Sequence, residues 1–346
     1  MGGNANHEGH GMTDLSPDAG QHMSREIAEA PAVFVASVAQ ALSLPDLSHL
    51  RAVYTVARGS SDAAANILSY ELMRETGLPA TSLPPSIFSL GQGVRLTDSA
   101  VLIVSQSGAS DDLVRSARGA KIAGATVLAL TNVTGSPVEA EAHATLRIGA
   151  GPERAVPATK SVIGAIAGGM AFLSTLVPAY APRAAASARA IATLHGQSLP
   201  QTRAVLSALL RASHVYVIGR DTGFGAAQEL ALKLKECCAL HAEAYSSSEV
   251  LHGPLQLVTN PLLILILDTE QPDVQPSLDT AEQRFKSAGG TVFRLRPSDA
   301  GATGLTPAAA AAALLILTYP LVLKTALALG HDPDRPATLS KVTQTR

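Results

Sequence analysis

Short unbroken apolar runs alternate along this chain with longer stretches of helical periodicity. Val53–Ala57, Val101–Val104 and Leu262–Leu267 are of the first kind. Such runs lack the strict in–out alternation of a half-wet sheet and indicate parallel strands covered on both faces. The pattern also repeats. Val53–Leu72 (VYTVARGSSDAAANILSYEL) and Val215–Leu234 (VYVIGRDTGFGAAQELALKL) lie 162 residues apart and agree at seven of twenty positions. Each copy reads as a strand, a small polar turn and a helix. Near the same spacing, Val101–Ser107 falls on Leu262–Thr269 and Gly124–Asn132 on Gly289–Pro297. Each half therefore predicts strand–helix–strand–helix–strand. The expected fold is α/β, with two tandem doubly wound parallel sheets of the flavodoxin-like three-layer α/β/α kind. The predicted division is a disordered tail over 1–29, one domain over 30–195 and a second over 196–346. The seam falls near Gly196–Pro200, after the Ala-rich helix ending at Leu194.

Two longer apolar stretches, Val162–Tyr180 and Ala308–Leu329, approach the ~20 residues that span a bilayer. Gly164, Gly168, Gly169 and Pro178 interrupt the first. The second is mostly alanine, is broken by Pro320 and carries Lys324. Alanine favours helices strongly, so both stretches predict helices buried in a large core, not membrane spans. Charge narrows the partners. Twenty-six basic residues face 28 acidic ones, and the basic excess of a nucleic-acid binder is missing. Aromatics are 3% with no Trp, which argues against base-stacking platforms. The two cysteines, Cys237 and Cys238, are neighbours, a spacing too strained to bridge. With no disulfide framework and no apolar leader, a cytoplasmic protein is expected. His7, His10 and His22 read as part of a solvated tail.

In open α/β sheets, ligands sit beyond the carboxyl ends of the strands. Arg58-Gly59-Ser60-Ser61 follows the first strand, and Ser105-Gln106-Ser107-Gly108-Ala109-Ser110 follows another. Each then opens a helix. Small hydroxyl residues and glycine let backbone N–H groups close on an anion at a positive helix end. Plain N-capping explains one such loop, but two at neighbouring strand ends favour an anion. Neither a Walker loop nor a GxGxxG follows a strand, so a phosphate monoester fits better than a nucleotide.

Glu229, Lys233 and Glu236 stand at i, i+4 and i+7 and share one helix face. After them comes His241-Ala-Glu243-Ala-Tyr245, and then Glu249, His252 and a Gly253-Pro254 turn. A glutamate near a histidine supplies two proton-transfer groups of different basicity. A zinc site from His241, Glu243 and His252 lacks a recognisable ligand spacing. Near the end, Ser340-Lys341 places an amine that could hold an anion or form a Schiff base.

These residues resemble the sugar isomerase (SIS) superfamily over roughly 30–346. The likeness is strongest to the isomerase half of glucosamine-6-phosphate synthase and to stand-alone second-type glucosamine-6-phosphate deaminases. It rests on SQSG (105–108), ELALKLKE (229–236), HAEAY (241–245), LHGPL (251–255) and LSKVT (339–343), in that order. The resemblance implies that Ser60, Ser61, Ser105, Gln106, Ser107 and Ser110 hold the phosphate, while Val156, Lys160 and Ser340 line the sugar. It implies Glu236 as the base between C1 and C2, with Glu229 and Lys233 as its supporting ion pair. His252 would open the sugar ring from the neighbouring subunit of a homodimer, and Lys341 would be the Schiff-base lysine. No metal or other cofactor is implied. Ala337, Asp111-Asp112 and Pro157 depart from the synthase wording, and a protein without the glutaminase half is expected. The expected activity is conversion of glucosamine 6-phosphate to fructose 6-phosphate and ammonia. The alternatives are another aldose–ketose phosphosugar isomerase, a fructosamine-type deglycase, an aminotransferase-labelled relative, or a non-catalytic sugar-phosphate sensor.

Overall fold

The computed structural model describes residues 15–341. The first half runs α1 (Gln21–Val38), β1 (Ala52–Val56), α2 (Ser60–Thr76), β2 (Ala80–Ser82), α3 (Ser86–Ser89), β3 (Ser99–Ser105), α4 (Asp111–Ile122), β4 (Thr126–Thr131), α5 (Pro137–Glu141), β5 (Ala144–Arg147), α6 (Lys160–Leu176) and α7 (Ala181–Ala192). The second runs α8 (Thr202–Leu209), β6 (His214–Gly219), α9 (Thr222–Cys238), β7 (His241–Ser246), β8 (Leu263–Leu267), α10 (Gln275–Ser287), β9 (Thr291–Leu295) and α11 (Pro307–Ala328). Two all-parallel sheets result, ordered β2-β1-β3-β4-β5 and β7-β6-β8-β9. The order reverses between β1 and β3, and again between β6 and β8. Those reversals are where each sheet can open a crevice.

Alternate residues of each strand face different layers. Ala100, Leu102 and Val104 of β3 and Leu263, Leu265 and Leu267 of β8 enter one continuous core with α1, α2, α6, α9 and α11. Val101 and Ile103 turn the other way and pack with Leu113 and Ala117 of α4. Ile264 and Ile266 do the same with Leu278 and Phe285 of α10. The two sheets therefore share a helical layer. Within it α9 lies close on α2, because a Cβ on Gly225 would come within 2.5 Å of Ile67. That contact brings the second unit's helix to the first unit's strand ends.

Both long apolar stretches are core helices. α11 is apolar and long enough to cross a membrane, but 78% of its apolar window is buried inside the molecule. α6 is buried along nearly its whole length. The tail predicted over 1–29 requires correction: residues 21–29 form the first half of α1, and Met23 and Ile27 lie in the core. Polar composition misled there because the helix presents one solvated face. His7 and His10 lie outside the described residues. Cys237 and Cys238 are buried and unbridged.

α1 starts at Gly20, which has no side chain to cap it. The caps come from the other end of the chain. Asp334 accepts the N–H groups of His22 and Met23, both at 2.8 Å, and Asp332 accepts that of Gly20 at 3.1 Å. Asp334 also accepts the Val156 N–H through its carbonyl, at 3.2 Å. The segment after α11 thus straps down over the start of α1.

Candidate active site

The carboxyl ends of β1 and β3 open into a cavity of about 360 Å³. Two loops form its polar wall. Gly59 has φ 53° and ψ −128°, a backbone that favours glycine, and it turns Ser60 and Ser61 into the first turn of α2. Gly108 has φ 62°, and a Cβ there would stand 2.2 Å from Ser136 Oγ. Nothing larger fits. Ser105 Oγ accepts the Gly108 N–H at 3.0 Å, and Ser107 Oγ accepts that of Ala109 at 3.3 Å. Neither Gly59 nor Ser110, the two N-cap residues, supplies a side-chain cap. The Arg58 guanidinium joins the two loops by pairing with buried Asp112 at 2.8 Å.

The opposite wall comes from α9. Glu236 is the one carboxylate among the described residues lining the cavity. Behind it, fully buried Lys233 donates to Glu236 Oε2 and, at 2.9 Å, to Ser60 Oγ. Its ammonium lies 3.5 Å from Glu229, also fully buried. Burial pulls the lysine toward the neutral form, but the Glu229 and Glu236 carboxylates outweigh it and hold the ammonium charged. Burial pushes Glu229 up to about 7, against the pull of Lys233. Tyr319 of α11 donates to Glu229 Oε1 at 3.1 Å.

The strap closes the third side with Leu339, Ser340 and Lys341. Lys341 Nζ donates to Glu153 Oε2 at 3.1 Å and to the Ala155 carbonyl at 2.7 Å. Glu153 is buried and also accepts the N–H groups of Thr159 and Ser161, both at 3.0 Å, and the Ser161 hydroxyl at 2.7 Å. Glu26 of α1 accepts the Arg154 N–H beside it. Burial raises the Glu26 carboxyl, with Glu153 adding to the effect.

The structure thus brings Ser60, Ser61, Ser105, Gln106, Ser107, Ser110, Val156, Glu236, Ser340 and Lys341 around one cavity. Glu229 and Lys233 stand behind its wall. Lys160 does not line it: its ammonium pairs with Glu29 of α1 at 2.5 Å. His252 is exposed in the turn beyond β7 and is absent from the wall within this chain. No group of three or more His, Cys, Asp or Glu among the described residues, His241, Glu243 and His252 included, is arranged to hold a metal. Sequence reasoning missed Glu26, Glu153 and Tyr319. An isolated acid in a loop, or one tyrosine in an alanine-rich helix, has no periodic signal.

The repeat explains why only one unit carries this site. Asp221 occupies the position of Gly59, with φ 56° and ψ −132°. Its own carboxylate accepts the Thr222 N–H at 2.6 Å and pairs with Arg74 at 2.7 Å. The second loop is filled by the chain itself.

The sequence profile of the SIS domain matches residues 46–175 and 208–295, one segment on each sheet. The chain belongs to the SIS domain family. Among SIS relatives, the glutamine–fructose-6-phosphate aminotransferase (isomerizing) of Symbiobacterium thermophilum is 32% identical over 326 residues, covering 87% of this chain and 52% of that protein. Its Aeropyrum pernix namesake is 32% identical over 324 residues, covering 83% and 50%. The chain spans about half the length of these curated relatives. Of solved SIS structures, a Silicibacter pomeroyi protein provisionally labelled a phosphosugar isomerase is 30% identical, with TM-score 0.76 and coverage of 90% and 99%. Glucosamine-6-phosphate deaminase from Thermotoga maritima shares the fold at 19% identity, TM-score 0.72, covering 94% and 100%.

Proposed function

We propose that this SIS protein is a phosphosugar deaminase and isomerase acting on glucosamine 6-phosphate. The observation that carries the reading is Glu236, the one wall carboxylate among the described residues, facing two serine loops across a sugar-sized cavity. In this reading the loop hydroxyls and the first N–H groups of α2 and α4 bind the phosphate. Glu236 takes the C2 proton of the open-chain amino aldehyde and returns it to C1. The enolamine becomes a C2 imine, and water hydrolyses it to the ketone and ammonia. His252 of a second copy assists ring opening, so the active form is a homodimer.

Purified protein with glucosamine 6-phosphate is expected to release ammonia and fructose 6-phosphate. Glu236→Gln should cut the rate by at least ~100-fold, the usual scale for a removed general base, while phosphosugar binding persists. Mixing Glu236→Gln with His252→Ala should restore part of the activity. A wild type that releases no ammonia, yet interconverts another phosphosugar aldose and ketose, sinks the deaminase reading. That second reading is isomerisation without amine chemistry.

A further inference from the structure

α11 is the most apolar long helix of the molecule, and Tyr319 is wholly buried in it. A buried phenol needs a partner. Its hydroxyl finds one across the helix layer, in Glu229 Oε1 at 3.1 Å. The Ser60 hydroxyl and the Lys233 ammonium also favour the charged form of Glu229. Its Oε2 is buried with no hydrogen-bond partner among the described residues, and its cation, Lys233, stands 3.5 Å away. Lys233 in turn is shared with Glu236 and Ser60. The groups therefore form one chain from the core to the cavity: Tyr319, Glu229, Lys233, then Glu236 on the base side and Ser60 on the phosphate side.

We infer that Tyr319 is a positioning residue that fixes the charge of Glu229 and, through Lys233, tunes the Glu236 carboxylate. The catalytic part of this inference rests on the reading of Glu236 as the base. The coupling is electrostatic. One ammonium serves two carboxylates, and the phenol stabilises the ionised form of the deeper one. Without the phenol O–H, Glu229 takes up a proton more readily. Lys233 then serves Glu236 alone, and a more fully neutralised Glu236 is a weaker base. The titratable groups facing this cluster are Lys233, Glu236 and Cys237 on α9 and Tyr319 on α11, with Glu153 adding its field. Phosphate binding is left largely intact, because Tyr319 reaches the serine loops only at Ser60 and only through Glu229 and Lys233.

The test is Tyr319→Phe, which keeps the ring and removes only the hydroxyl. Two measurements are made on the full chain. Infrared titration follows the protonated carboxyl band of Glu229, assigned by its loss in Glu229→Gln. The midpoint should move upward in Tyr319→Phe. Steady-state kinetics on glucosamine 6-phosphate should show kcat down roughly ten-fold, the scale of one hydrogen bond to a charged group, with KM within about two-fold. The acid limb of the kcat profile, set by proton uptake at Glu229, should follow that midpoint to higher pH. An unmoved infrared midpoint overturns the inference whether or not any substrate turns over. A moved midpoint with unchanged kcat and profile overturns the link to Glu236. A wild type without turnover defeats the proposed function, and the infrared midpoint still decides the role of Tyr319 toward Glu229.

Discussion

Single residues here divide into those whose chemistry is local and those whose chemistry is assembled. Gly108 is local. Its φ of 62° and the 2.2 Å approach to Ser136 Oγ follow from a tight loop between a strand and a helix, and SQSG announces that loop in the sequence. Gly108→Ala should therefore cost about 1–3 kcal/mol of stability and distort the serine loop. Inorganic phosphate titrated into the variant, followed by calorimetry, should show a weakened or lost heat of binding. Unchanged stability and binding would mean that the loop tolerates a Cβ and that its shape is not set by this glycine. Glu153 is assembled. It holds the start of α6 through three donors and Lys341 through a fourth, yet in sequence it is one acid in GPER. Its buried role depends on a strap 188 residues away, and no local pattern encodes that. Lys341 was visible from its motif, but its anchor was not.

Elements show the same division. β1, β3, β4, β6 and β8 were legible because buried parallel strands read as apolar runs, and β9, a half-exposed edge strand, through its repeat match to β4. β2, β5 and β7 were not. They are edge strands, and β7 carries His241, Glu243 and Tyr245 with much of its length half-exposed. Half-wet polar edges look like loops. The start of α1 was hidden for another reason: its caps come from the far end of the chain. Asp334→Ala leaves the N–H groups of His22 and Met23 without acceptors, at a cost of about 1–2 kcal/mol. A drop of a few degrees in Tm is expected. Because the same strap brings Leu339–Lys341 to the cavity, phosphosugar affinity should fall with it. Asp334→Asn, which keeps one acceptor, should recover part of both. A variant that loses stability but keeps full affinity would show that the strap seats itself without Asp334.

Across the described residues the two sheets share one central core, with a smaller cluster on the outer face of each. The shared helix layer is what allows a helix of one unit to supply Glu236 to the strand ends of the other. It also buries charge far from the cavity. Glu71 of α2 accepts the Tyr180 hydroxyl at 2.7 Å and the Ala308 N–H at 3.2 Å, so it ties three elements and caps the start of α11. Burial pushes its carboxyl up to about 7, against the hydrogen bonds from Tyr180 and Ala308 that favour the charged form. An unfolded glutamate titrates near 4.5. The folded state therefore holds this proton more tightly than the unfolded state. The linked stability is fully present below about 4.5 and is lost as pH rises to about 7, roughly 3 kcal/mol from a shift of this size. Glu71→Gln mimics the protonated form at every pH. Urea unfolding between pH 4.5 and 8 should show the wild type and Glu71→Gln similar at the acid end. Toward pH 8 the wild type should fall behind the variant by up to that amount. Glu229 and Glu26 titrate in both proteins, so their contribution cancels in the difference. Parallel stability curves would place the Glu71 carboxyl in the ordinary range, and its cap on α11 would then be charged at every physiological pH.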